Sequence, residues 1–530
     1  MTRLARVLVA GLLGLAGLGT AAAQPLTASD LRAALARQSD PAPDLAAFYD
    51  ARDYAPAWLV AGHPTATAHA LADVLAASAA EGLRPADYHA NDLRRSIARG
   101  GALTASEQAR LDVLLSDAFL RYARDQRTGR VRPDRLYDDW DEPPRTVDPA
   151  RLLADALRAG RVEEGLAALP PPHAGYTRLR RTLARYRAFA EAGGWPTTAP
   201  GPTLRLGDRD ARIATLRRRL RFTDDLRAAA DTAEAPRFDA AVDAAVRTFQ
   251  HRHGLDADGV VGPKTQAALD VPAADRVRQI ELNMERWRWL PRSLGREYVL
   301  IDVPSFRLEY VRGGGTTLVM RVIVGTVRTP TPAFASEITH VVLSPYWHVP
   351  YSIATAEILP HLRRSASYLA RHHMTLLRNG RRVDPYAVDW SAVSARRFPY
   401  AIRQDPGPDN PLGPVKFLFE NRFGVRLHGT SNPELFARTD CALSHGCIRA
   451  ERPIDLAAAL LRADTAWTAE RMNEVIAVGE ETRIALADPV PIHVRYWTAW
   501  VDETGTVHFA PDLYGRDHPL ADALRLVDGS

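Results

Sequence analysis

With only two cysteines, Cys441 and Cys447, among 530 residues, this chain has no disulfide framework to hold it and must fold on hydrophobic cores. Hydrophobic residues make up 46% of it, enough to fill several cores. Single cores stop growing at roughly 250 to 300 residues, so the length implies about three to four domains. The same scarcity draws attention to Cys447, in the run Ser444-His445-Gly446-Cys447-Ile448-Arg449, fourteen positions beyond His428-Gly429-Thr430. A thiol of ordinary pKa, about 8.5, is only a few per cent thiolate at neutral pH, so a catalytic cysteine needs an imidazole or a field of N–H dipoles beside it. His428 and His445 are the candidate bases. Gly446 lets a reacting carbonyl approach the backbone closely, and the N–H groups of Gly446 and Cys447 are placed to hold an oxyanion. The pattern points to acyl transfer through a cysteine nucleophile.

The N-terminus reads as an export signal over residues 1–23: Arg3 and Arg6, an apolar core at 7–19, then Ala21-Ala22-Ala23 before Gln24. That core is short for a membrane span, which needs roughly 20 apolar residues; uncleaved, it would still tether the protein. Nothing later in the sequence is apolar enough to span. The formal charge is +5 and the pI about 9.2. The positive charge is almost all arginine, with Lys264 and Lys416 the lysines, and is mixed with Asp and Glu. Without a basic run this argues against nucleic acid and for weak attraction to an anionic envelope polymer.

Residues 27–200 are rich in Ala, Leu and Arg with helical periodicity and hold no cluster of chemistry-bearing side chains, which predicts a helical scaffold domain. Gly193-Gly194, Pro196 and Pro200-Gly201-Pro202 mark a linker. Residues 203–272 begin with Leu206-Gly207-Asp208, continue through two amphipathic stretches, and close with Gly262-Pro263, a helix-start signal. This segment resembles the three-helix peptidoglycan-binding domain found as an accessory in cell-wall enzymes. His251 and His253 have no third ligand at useful spacing and read as surface or core histidines. From Tyr298 the pattern turns to strands joined by short Gly- or Pro-containing turns. A charged helical stretch from residue 353 to about 397 interrupts it, an insertion of the kind that forms lids.

His428 and the Ser-His-Gly-Cys run with its following Arg resemble the signature of the L,D-transpeptidases with a YkuD-type catalytic domain. The order of scaffold, binding domain and capped catalytic domain resembles their YcbB-like branch, with support from the runs at 287–291, 325–332, 345–350, 405–413, 416–419 and 496–500. The fold class implied is multidomain α+β: helical scaffold, three-helix binding domain, and a mainly-β catalytic domain at 297–502 with a helical capping subdomain inserted at about 351–410. Residues 503–530 are left as a C-terminal extension. The resemblance makes Cys447 the nucleophile and His428 its base, oriented by the carbonyl of Gly429. His445 and Gly446 fall with Cys447 on the oxyanion side. Arg449, Ser444, Tyr346 and Trp347 fall to substrate binding or to holding the loop. It implies 3→3 cross-linking of peptidoglycan, donor and acceptor stems as partners, no cofactor or metal, and a periplasmic or envelope location.

Two departures stand out. The branch usually has Asp where this chain has Gly429, and Cys441 replaces an expected basic residue; pairing of Cys441 with Cys447 would silence the enzyme, although a small buried residue is the plainer reading. Two other classes stay open. A zinc-dependent wall peptidase would use His428, Cys441, His445 and Cys447, and a wall-binding scaffold would have no chemistry at all.

Overall fold

The computed structural model describes residues 26–227 and 235–526, so the expected leader lies outside the described residues. The chain divides into two compact units. The first gathers the described residues up to 78 with 84–123 and 148–168, and is mainly helical. Its opening helix, Ala28–Ala36, starts on a reciprocal cap in which Thr27 and Asp30 satisfy each other's backbone N–H. The fully buried Asp112 ties this unit together by accepting from the Tyr49 hydroxyl and the Ala57 and Trp58 amides. A buried carboxylate needs such partners, and burial still pushes its pKa up.

The second unit holds 79–83, 124–147 and everything from 169 on. Within it the helices Arg212–Phe222, Ala240–Arg252 and Pro263–Asp270 enclose Ile213, Leu216, Leu220, Val242, Val246, Phe249 and Leu269 in one small core. His253 is buried there, its Nδ1 2.7 Å from the Phe249 carbonyl and its ring stacked on Phe249. The helix Ala174–Glu191 belongs to this unit as well. Its Tyr176, Leu179, Leu183 and Tyr186 share a core with Ile280, Met284 and Trp287 of Ala273–Arg288.

The strands that carry the site are β1 (Glu297–Asp302), β2 (Arg307–Arg312), β3 (Gly315–Gly325) and β4 (Ala333–Leu343). After an insertion carrying β5 (Trp347–His348), β6 (Met374–Arg378), β7 (Arg381–Arg382) and β8 (Ala401–Gln404), the barrel resumes. It does so with β9 (Val415–Leu418), β10 (Leu427–His428), β11 (Ala442–Ser444), β12 (Ile448–Ala450) and β13 (Thr482–Arg495). The hydrogen-bonded order is β9-β10-β12-β3-β2-β1-β13-β4, and β4 pairs back onto β9, so the sheet closes on itself and leaves few free edges. Val299, Ile301, Val322, Val324, Val341, Phe417, Leu427 and Ile492 fill its interior as the inward members of alternating strands.

The inserted cap is not purely helical. Helices at Tyr351–Ile353, Leu359–Arg364 and Ser367–Arg371, with a π-helical turn at Ala354–Ile358, pack on an antiparallel sheet of order β7-β6-β8-β5. The β6–β7 hairpin turns at Asn379-Gly380, both at positive φ, the conformation a two-residue type I′ turn requires. Residues 503–526 are also built in. Tyr496 donates to Asp512, and the Tyr514 amide donates back to the Tyr496 hydroxyl. No helix among the described residues is long and apolar enough to cross a membrane.

Candidate active site

Cys447 sits at the entry to β12, and β12 runs parallel to β10 with Leu427 opposite Ile448 and His428 opposite Arg449. Alternation along β12 puts Cys447 and Arg449 on one side of the sheet, and register puts His428 on that same side. His428 is buried and its Nδ1–H donates to the carbonyl of Gly429 at 2.7 Å. That bond fixes the tautomer and leaves Nε2 with a free lone pair. Burial, with Arg449 and Lys416 nearby, drives the imidazole pKa down to about 4. Cys447 is partly buried and burial pushes its thiol up, against the Arg426 backbone N–H and the Arg426 and Arg449 guanidiniums, which favour the thiolate. Both shifts favour the uncharged forms, a neutral thiol and a neutral imidazole.

The loop between β11 and β12 is held from several sides. The Ser444 hydroxyl accepts from the Gly446 N–H at 3.1 Å and donates to the Cys447 carbonyl. The Gly446 N–H, expected to face an oxyanion, is thus engaged within the loop. Gly446 takes φ +103, which only glycine adopts without strain. From the segment after β3, the buried Thr331 hydroxyl donates to the Gly446 carbonyl at 2.9 Å and accepts from the Gly325 N–H at 2.8 Å. The Thr326 amide and the Thr329 hydroxyl both donate to the Ser444 carbonyl. Tyr514 braces this segment by donating to the Gly325 carbonyl and accepting from the Thr331 amide. The threonines lie in the run at 325–332, but their individual bonds, like those of Tyr514, are found only through tertiary contacts.

His445, expected on the oxyanion side, is exposed, and its Nε2 lies 3.0 Å from Glu357 of the cap. Arg449 is half-buried, burial lowers its pKa, and its Nε has no hydrogen-bond partner. Tyr346 and Trp347 lie where β4 passes into the cap: the Tyr346 amide donates to Glu481, Arg403 stacks on its ring, and Trp347 pairs with Gln404. Cys441 is fully buried beside Ile323 and Phe436, its sulfur 3.3 Å from the Arg321 guanidinium and 3.2 Å from the Arg438 carbonyl; it is a free thiol with its own partners. Among the described residues no group of three or more His, Cys, Asp or Glu side chains is placed to hold a metal ion. Gly429 is tightly enclosed: a Cβ there would lie 3.1 Å from both Pro414 and Pro453.

Comparison with known proteins gives this geometry its family. Residues 296–491 match the L,D-transpeptidase catalytic domain of the YkuD family, residues 209–269 a family described as "Putative peptidoglycan binding domain", and residues 43–183 a scaffold domain. A relative from Haemophilus influenzae, named "Putative L,D-transpeptidase", is 35% identical over 244 residues, 46% of this chain and 49% of the relative. The chain thus spans about half the length of that relative. Among solved structures, an L,D-transpeptidase from Xylanimonas cellulosilytica (18% identity, TM-score 0.19) is covered over 100% of its length by 56% of this chain. One from Stackebrandtia nassauensis (15%, TM-score 0.22) is covered over 96% by 57% of it. At those scores the structural likeness carries no inference. The chain carries a YkuD-type L,D-transpeptidase catalytic domain together with a peptidoglycan-binding domain.

Proposed function

We propose that this protein is a cysteine acyltransferase that forms 3→3 cross-links in peptidoglycan. The observation that carries the reading is the His428–Gly429 hydrogen bond, which frees Nε2 of a neutral imidazole on the side of the sheet that bears Cys447. In the first half-reaction Cys447 Sγ attacks the carbonyl of the L-centre of the third stem residue, a diaminopimelate. His428 Nε2 takes the thiol proton and returns it to the amine of the departing D-Ala. The Cys447 N–H holds the oxyanion. Arg449, with a buried unpaired Nε, and the nearby Lys416 supply positive charge suited to the carboxylates of a stem peptide.

In the second half-reaction the side-chain amine of another stem attacks the thioester. A thioester is energetic enough to acylate an amine, and a cap that excludes water favours the amine over hydrolysis. The binding domain fits a role in holding the enzyme on its polymer, which would place the protein in the periplasm or cell envelope. Incubation with a disaccharide-tetrapeptide tests the reading: D-Ala release with a mass shift on Cys447 supports it, and no mass shift under reducing conditions refutes it.

A further inference from the structure

The cap's hydrophobic residues Ala354, Ile358, Leu359 and Leu362 turn into its core, while Glu357, on the same π-helical turn, faces solvent and reaches the catalytic loop. A π-helical turn inserts an extra residue and re-aims its neighbours, and such turns recur at functional sites. Glu357 meets His445, two residues before the nucleophile, and each side chain is more than half exposed, 54% and 59%. A pair this open to water adds little to stability. It is, however, reachable from outside by a second substrate. The contact brings a carboxylate oxygen to 3.0 Å from one ring nitrogen of His445 and places both groups beside the loop that carries Cys447. His428 is bonded through the opposite nitrogen and is buried. The site thus has two imidazoles, one buried on the strand beside that of Cys447 and one exposed next to a carboxylate.

We propose that Glu357 and His445 form the acceptor subsite, which binds a primary ammonium and removes its proton; this rests on the transpeptidase reading. An acceptor amine arrives protonated and is not a nucleophile until it loses a proton. Glu357 attracts the ammonium, and the His445 imidazole takes one proton and passes it to solvent. The freed nitrogen lone pair forms the C–N bond to the thioester carbonyl, the C–S bond breaks with its electrons on Cys447 Sγ, and a second N–H proton ends on that sulfur. The third hydrogen stays on the new amide. Water needs no such charge, so the pair selects amine over water.

The test uses the full chain with disaccharide-tetrapeptide as donor and acceptor, and hydroxylamine, largely uncharged at neutral pH, as a comparison acceptor. Glu357→Gln is expected to lower the ratio of dimer to hydrolysed tripeptide about tenfold and to raise the acceptor KM, with the hydroxamate yield falling by less than about threefold. Glu357→Asp, which keeps the charge, should recover most of the ratio. An unchanged ratio in Glu357→Gln overturns the proposal, as does an equal loss with both acceptors, which would mean that Glu357 only holds the cap. Wild-type protein that forms neither hydroxamate nor free D-Ala would instead overturn the transpeptidase reading itself.

Discussion

The Nδ1–H of His428 donates to the carbonyl of its own neighbour, Gly429, at 2.7 Å, so a backbone group orients the ring of the proposed base. Because the imidazole is buried and its pKa lies at about 4, it stays neutral and able to accept a proton through the whole neutral range. Acid activity fails only when the ring is protonated. The acid limb of kcat/KM for D-Ala release should therefore fall at about pH 4, with activity lost as pH drops through that value. A limb near the ordinary imidazole value, about 6.5, would contradict the burial argument.

Gly429 is enclosed by two proline rings and a carbonyl, and a Cβ there meets Pro414 and Pro453 at 3.1 Å. The rings cannot give way as a flexible side chain would, so Gly429→Ala should displace the carbonyl that orients His428. The expected result is a loss of roughly tenfold or more in kcat, with the donor KM little changed. Full activity in Gly429→Ala would show that the carbonyl does not set the base.

Thr331 satisfies the Gly325 N–H and the Gly446 carbonyl with one hydroxyl. Thr331→Val keeps the shape and strands both backbone groups, a cost of about 1–3 kcal/mol. A fall in denaturation midpoint together with slower acylation by a β-lactam or a tetrapeptide is expected. A stable variant with fast acylation would remove Thr331 from the account of the catalytic loop.

Asp302 is buried at the end of β1 and accepts from the Trp497 amide at 2.8 Å. Burial raises its pKa from 3.8 to about 7. A carboxyl whose folded pKa lies above its unfolded one contributes stability that is fully present below about pH 4 and is lost as pH rises through 7. Asp302→Asn keeps an acceptor for Trp497 and has no proton to lose. Its melting temperature should change less than that of the wild type between pH 4 and 8, and parallel curves would show that Asp302 is ionised in the folded state.

The candidate site was marked by a local pattern, the Ser-His-Gly-Cys run and His428, and strand pairing places Cys447 and His428 on one face. The strands after Tyr298 were legible from their alternating runs, but their closure into a barrel was not, because it rests on pairings between strands far apart in the chain. The cap's sheet was not foreseen, although Asn379-Gly380 between Met374–Arg378 and Arg381–Arg382 is a hairpin signal; the charged flanks masked it as helix. Glu357 and Tyr514 were illegible for a different reason. Each acts across a tertiary contact, 88 residues or more along the chain from its partner in the cases of Glu357 with His445 and Tyr514 with Gly325, and nothing in the local pattern marks it. The engagement of the Gly446 N–H by Ser444 depends on a loop conformation that motif spacing does not specify.

The most direct test of the central claim is mass spectrometry of wild type and Cys447→Ala after incubation with a disaccharide-tetrapeptide from a diaminopimelate-type wall. Wild type should release D-Ala and yield a 3→3 dimer, while Cys447→Ala, folded with an unchanged melting curve, should yield neither. Dimer formation by Cys447→Ala, or a reduced, folded wild type that neither acquires the acyl group nor releases D-Ala, would contradict it.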